Sequence, residues 1–254
     1  MTQQSVGKPK MTIYKGRPGA VSYGQDIGIL MLDCFNPFVP GDVGNAYSYD
    51  YPVLYKLVPD LSSPMVHSGG DGAIQQMVAA AVDLEKQGVK AITSDCGYML
   101  HYQEIISRSV RIPVMLSSLL QLPFIASTLP GNSAIGIICA NGKRMTDILL
   151  DKAYPHRSRP VHVRGLENSV VFRGAFLAEN GHLDTDIVTE EVCGVATALV
   201  NEHPEIGAIL LECSNLPPYA HAVQKVTGLP VYDFLTMINY VRESVTRRPY
   251  TGDY

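Results

Sequence analysis

Two stretches of the chain repeat one design, and each puts a cysteine at the same place. The first runs from Val89 to Tyr98 (VKAITSDCGY), passes through a helix-like stretch and reaches Ile112-Pro113-Val114. The second runs from Ile206 to Asn215 (IGAILLECSN), passes through a similar stretch and reaches Leu229-Pro230-Val231. In both copies 17 positions lead from the cysteine, Cys96 or Cys213, to the proline. A tyrosine (Tyr102, Tyr219) follows each cysteine six positions on, and an acidic residue (Asp95, Glu212) precedes it. Ile27-Gly28-Ile29 and Ile135-Gly136-Ile137 open the two copies. Two alike units that face each other bring Cys96 and Cys213 to one cleft, which suits proton transfer on both faces of a carbon.

The spacing of apolar runs sets the fold class. Short continuous runs rich in Ile, Val and Leu lie at 27–33, 89–94, 112–117, 134–140, 161–165, 206–212 and 229–233, the pattern of strands buried on both faces of a parallel sheet. Helical patterns fall between or after them at about 72–87, 101–110, 118–128, 144–153, 184–202, 217–226 and 235–246, with Gly88 placed to end the first. This alternation predicts an α/β fold of two similar doubly wound parallel lobes related by a pseudo-twofold axis. The turn Leu129-Pro130-Gly131-Asn132 divides residues 1–130, carrying Cys96, from 131–231, carrying Cys213. The C-terminal helix within 232–254 is expected to return to the first lobe.

Residues 34–72 are different, with many prolines and glycines and tyrosines at 47, 49, 51 and 55. So long a connection directly after the first strand is expected to be functional and to supply pocket wall. In parallel α/β sheets ligands bind beyond the carboxyl ends of strands, so the segments ending near Cys34, Cys96, Ser117, Asn141 and Cys213 converge on one site.

A net charge of −4 without a long basic run argues against nucleic-acid and membrane-surface partners, and no apolar run reaches the roughly 18–20 residues of a membrane helix. The first 20 residues lack the apolar core of a secretory signal and are expected to be a frayed terminus. Five cysteines at scattered spacings are expected to be reduced thiols in a cytoplasmic protein. Cys139 and Cys193 are read as core residues, and Cys34 as core packing or incidental exposure. Gly136 to Lys143 fails as a phosphate loop, and the seven histidines show no metal-like pairing, so no metal is expected.

The segments Pro40 to Ala46 (PGDVGNA), Thr93 to Tyr98 (TSDCGY), Pro113 to Gln121 (PVMLSSLLQ) and Leu211 to Ala220 (LECSNLPPYA) resemble the aspartate/glutamate/hydantoin racemase superfamily. The resemblance runs over most of residues 27–240. It implies two α/β domains around a cleft, and racemisation or epimerisation of a small carboxylate-bearing amino acid or derivative without any cofactor. In that scheme Cys96 and Cys213 are the two acid/base groups on opposite faces of the alpha carbon. The Ser214-Asn215 pair differs from the Thr-His that follows the second cysteine in dedicated glutamate racemases, which leaves the side chain of the substrate open. Within the same superfamily the alternatives are cis–trans isomerisation of an unsaturated diacid and decarboxylation of a malonate. A non-catalytic small-molecule binding protein is the third class, and a homo-oligomer is expected.

The chemistry requires aimed donors for an enediolate. Backbone amides after the cysteines (Gly97, Tyr98, Ser214, Asn215) and the strand-end residues Asn36, Ser117, Ser118 and Asn141 are the candidate substrate-binding groups. Ser117 and Ser118 also qualify as helix caps, and Asn36 and Asn141 as turn residues. A helix start is expected to lower a thiol's pKa, and strand alternation is expected to turn Asp95 and Glu212 away from the cleft.

Overall fold

A computed structural model describes residues 13–250; the expected frayed terminus lies partly, and the end of the 232–254 segment slightly, outside the described residues. The chain forms two four-stranded parallel sheets with the same strand order. In the first, β1 (Ile27–Met31) and β3 (Ala91–Ser94) are central, flanked by β2 (Val53–Leu57) and β4 (Val114–Met115), in the order β2-β1-β3-β4. In the second, β5 (Ala134–Cys139) and β7 (Ile206–Leu211) are central, flanked by β6 (Val161–Gly165) and β8 (Val231–Tyr232), in the order β6-β5-β7-β8. All pairings are parallel, and the buried residues of β3 and β5 read as unbroken apolar or small runs, as two-sided burial demands.

Helices α1 (Ser63–Ser68), α2 (Ile74–Gln87), α3 (Gln103–Ser109) and α4 (Leu122–Thr128) belong to the first half, and α5 (Asp147–Ala153), α6 (Val170–Phe172, running into a π turn at Arg173–Leu177), α7 (Thr185–Glu202) and α8 (Ala220–Thr227) to the second. Gly88 ends α2 at φ +95°, a conformation that a side chain would strain. The last helix, α9 (Phe234–Val245), packs Phe234, Met237 and Ile238 against Ile27, Ile29, Ala91 and Met115 of the first sheet. Each of those three side chains contributes roughly 1.5–3 kcal/mol by leaving water. Arg242 locks the helix further, donating to Asp26 at 3.2 Å and lying over the Tyr51 ring.

The two halves do not have separate cores. One apolar cluster runs from Leu30, Leu84 and Ile92 through Leu119 and Leu122 to Ile135, Ile137 and Leu210 of the second sheet.

Three elements depart from the sequence pattern: α1, α6 with its π turn, and β2. β2 lies inside the proline- and glycine-rich segment at 53–57, where only a loop is expected. It is an edge strand with half-exposed residues, so it lacks the apolar run of the buried strands. The tyrosines of that segment are not pocket wall either. Tyr51 donates to Asn239 of α9 at 2.7 Å, Tyr49 donates to the Val43 carbonyl at 3.0 Å, and Tyr47 is exposed.

Candidate active site between the sheets

β1, β3, β5 and β7 all end at one narrow cavity of about 30 Å³. Leu32, Cys34 and Asn36 follow β1, Asp95 to Tyr98 follow β3, Ala140 follows β5, and Glu212 to Asn215 follow β7. Ser63 and His67 of α1 and Phe176 and Leu177 of the π turn close the remaining walls. Cys96 and Cys213 therefore line the same cavity, one from each half. Of the other residues singled out from the sequence, Asn36, Gly97, Tyr98, Ser214 and Asn215 line it too.

Ser117, Ser118 and Asn141 are not on the cavity wall. Ser117 caps the helical turn at 118–121 by accepting from the Leu119 amide, and Asn141 caps the turn at 142–144. The Ser118 hydroxyl lies near the Leu211 and Glu212 carbonyls, at 3.2 and 3.1 Å, and ties the two halves together.

The cysteines sit in matching turns. The amide N–H of Tyr98 is aimed at the Cys96 sulfur, and that of Asn215 at the Cys213 sulfur. The Cys213 thiol donates to Asn215 Oδ1 at 3.4 Å, and Asn215 Nδ2 donates to Asp42 Oδ2 at 2.7 Å. The Tyr98 hydroxyl donates to the Asn141 carbonyl at 2.7 Å.

Two electrostatic expectations are overturned. Burial, followed by the nearby Glu212 charge, pushes both thiols well above their ordinary value, so the turn amides do not prevail. Asp95 and Glu212 also line the cavity rather than turning away. β3 ends at Ser94 and β7 at Leu211, one place before each acid, whose amides still bond the Leu30 and Ile138 carbonyls of the neighbouring strands at 3.2 and 2.8 Å. Burial raises Asp95 to about 7 and Glu212 to about 8. Asp95 accepts the Leu32 amide on both oxygens, at 3.0 and 3.1 Å, whereas Glu212 is approached only by the Ala140 amide, which makes no well-formed hydrogen bond to either oxygen.

Several cavity groups went unassigned in the sequence. Cys34 lines the cavity rather than packing only in the core, and its thiol is pushed up to about 12, mainly by burial. Burial holds His67 down at about 4, so it is a neutral imidazole edge-on to Tyr98. Asp42, raised to about 7 by burial, stands behind Asn215, and its place in the PGDVGNA segment was the available signal. Glu179 accepts from the Phe35 amide at 3.0 Å and the Ser63 hydroxyl at 3.2 Å, clasping the second half onto the first beside the cavity.

The fold also brings together histidines that sequence spacing keeps apart. His162, His203 and Glu205 meet beside the start of β7, the end of the second sheet opposite the cavity. The two imidazoles stack at 3.6 Å with a 16° tilt. Stacked rings aim their in-plane lone pairs along nearly parallel lines, so one ion cannot lie in both ring planes. The cluster is a polar contact, with Glu205 Oε1 2.8 Å from His162 Nε2 and 3.6 Å from His203 Nδ1.

No model of a known protein family matches the chain. Two like parallel sheets with a cavity at their shared strand ends are the architecture of the aspartate/glutamate racemase superfamily. Arylmalonate decarboxylase shares it at 16% identity and a TM-score of 0.57, over 91% of this chain and 97% of that one. Glutamate racemase RacE1 of Bacillus anthracis shares it at 16% identity and a TM-score of 0.55, over 87% of this chain and 82% of that one. Closer relatives are all lyases. The chain is 32% identical to dimethylsulfoniopropionate lyase of Durusdinium sp. clade D, over 89% of its length and 77% of the relative's. It is 31% identical to dimethylsulfoniopropionate lyase 7 of Emiliania huxleyi (strain CCMP1516), over 97% of its length and 81% of the relative's. These relationships place the chain in the dimethylsulfoniopropionate lyase family. Lyase 3 of the same alga is 34% identical, and there the chain spans 61% of the relative's length. No helix among the described residues is long and apolar enough to cross a membrane.

Proposed function

We propose that the chain is a lyase that eliminates a neutral thioether from a sulfonium carboxylate such as dimethylsulfoniopropionate, using a cavity thiolate as base. A thiolate of Cys96 or Cys213 removes the proton alpha to the carboxylate. Its electron pair forms the carbon–carbon double bond, and the carbon–sulfur bond breaks toward the positive sulfur. The sulfonium departs as dimethyl sulfide and leaves acrylate. The amides of Tyr98 and Asn215 and the neutral polar groups of Asn36 and His67 are the donors for the enediolate and carboxylate.

The observation that carries this reading is the charge of the cavity wall. Asp95 and Glu212 supply acidic groups, Tyr98 and Phe176 supply aromatic faces, and no lining residue is Lys or Arg. Such a wall suits a cation and disfavours a second carboxylate, which counts against aspartate, glutamate, unsaturated diacids and malonates. A family of lyases points the same way.

The second reading is the racemase or epimerase, and the specific observation in its favour is a thiol from each half on one cavity. It differs in needing both thiols, whereas elimination needs one base. The lobe assignment (1–130 with the C-terminal helix, and 131–231), independence from metal and cofactor, and a homo-oligomeric state are part of the same proposal. Purified protein should release dimethyl sulfide and acrylate from dimethylsulfoniopropionate, read by headspace gas chromatography and proton NMR, with chelator present. Absence of thioether together with alpha-deuterium uptake into an amino acid or hydantoin in heavy water would sink the lyase in favour of the racemase.

A further inference from the structure

Glu212 has no role in the elimination as described, yet it lines the reacting cavity, and both of its carboxyl oxygens are buried without a well-formed hydrogen bond. It occupies space made for it, since a Cβ at Gly97 would collide with its carboxyl oxygen. Its charge is the second cause, after burial, of the shift at both cysteines, so it stands close to each.

In the empty cavity neither protonation state is satisfied. The neutral acid has a donor with no acceptor, and the carboxylate would be a buried charge with only the Ala140 amide nearby and no cation. A sulfonium or quaternary ammonium group completes the site without asking for acceptors. It has no N–H, and its charge spreads over methyl groups that fit the faces of Tyr98 and Phe176.

We propose that Glu212 exchanges its proton for the substrate's onium cation and then takes the proton of the attacking thiol. This rests on the elimination reading and deepens it. The steps balance as follows. Entry of the cation expels the Glu212 proton to solvent and leaves a carboxylate beside the onium group. The thiol passes its proton to that carboxylate and becomes a thiolate. The thiolate takes the alpha proton, the thioether leaves with the carbon–sulfur electron pair, and thiol and neutral acid are both restored. One proton thus leaves per turnover, at binding rather than at bond cleavage.

The ionisable groups facing Glu212 are Cys96 and Tyr98 from the first half and Cys139 and Cys213 from its own, with Asp95 beside Cys96. Burial raises all four thiol and phenol groups, so they hold their protons at neutral pH. Asp95, at about 7, is the competing source.

The probe is 3-(trimethylammonio)propionate, an onium carboxylate whose amine is a poor leaving group. Calorimetric titration of the whole chain at pH 7, in buffers of different ionisation enthalpy, counts the protons. The wild type should release about one proton per ligand bound. Glu212→Gln should release none and bind about tenfold or more weakly. Glu212→Asp, which keeps the acid, should restore the release, and circular dichroism should show all variants folded. Binding without proton release, no binding, or release that survives Glu212→Gln and disappears in Asp95→Asn would each overturn the proposal. The ligand is not turned over, so a wild type that fails to produce dimethyl sulfide fails the lyase reading separately.

Discussion

The turns around Cys96 and Cys213 are the same backbone device with different side chains, and the differences pair across the cleft. The residue two beyond each cysteine reaches into the opposite half. Tyr98 binds the Asn141 backbone, and Asn215 binds Asp42. The residue just after each cysteine meets the acid that precedes the other. Gly97 makes room for Glu212, and the Ser214 hydroxyl donates to the Asp95 carbonyl. The preceding acids then diverge, since Asp95 is held by two contacts with the Leu32 amide and Glu212 only by the approach of the Ala140 amide. Duplication supplies two equivalent thiols. The substitutions around them decide how alike they remain, with Cys213 held through Asn215 and Cys96 exposed to the cavity without a side-chain relay.

The sharpest way to break the equivalence is to remove one thiol at a time. For elimination, one of Cys96→Ser and Cys213→Ser should lose about 10²–10⁴-fold in kcat/KM while the other keeps most of its turnover. Equal, complete loss in both, measured as dimethyl sulfide release, would restore the two-base symmetry of a racemase.

The next effect is on stability. Asp95→Asn disturbs a buried group that accepts two contacts and should cost about 1–3 kcal/mol in urea unfolding, whereas Glu212→Gln should cost little or stabilise. Gly97→Ala should also destabilise by about 1–3 kcal/mol, because the added Cβ would meet the Glu212 backbone carbonyl at 2.6 Å, which cannot turn aside as a side chain can.

The two acids should also differ with pH. Both have folded pKa values above their unfolded ones, to about 7 for Asp95 and about 8 for Glu212. The folded state therefore holds more protons. The stability these two groups contribute is full below about pH 4 and is lost as pH rises toward 8. In Glu212→Gln the decline should be shallower and end nearer pH 7, as thermal unfolding across pH 4–9 would show. The smallest effect belongs to the clasp. Glu179→Ala should raise KM several-fold with little change in kcat, since it touches neither thiol.

The repeat made both sheets and the thiol pair legible, because buried parallel strands write themselves as apolar runs and each cysteine follows one directly. β2 was hidden because an edge strand at 53–57 needs no such run. The orientation of Asp95 and Glu212 was misread. Each acid sits one place past its strand, its amide still bonded to the neighbouring strand at Leu30 or Ile138, and it lines the cavity beside the cysteine that follows it. His67, Phe176 and Glu179 reach the site from segments far from either cysteine, so only the folded chain brings them there.

The links between the halves are unevenly placed. Ser118, Ser214, Asn215 and Tyr98 all cross beside the cysteines, together with the Val43 amide bonded to the Ser214 carbonyl at 3.3 Å. On the far side of the cavity Glu179 clasps Phe35 and Ser63. Release of Phe35 and Ser63 by Glu179 would leave every crossing beside the two sulfurs, and the core shared by the halves, in place.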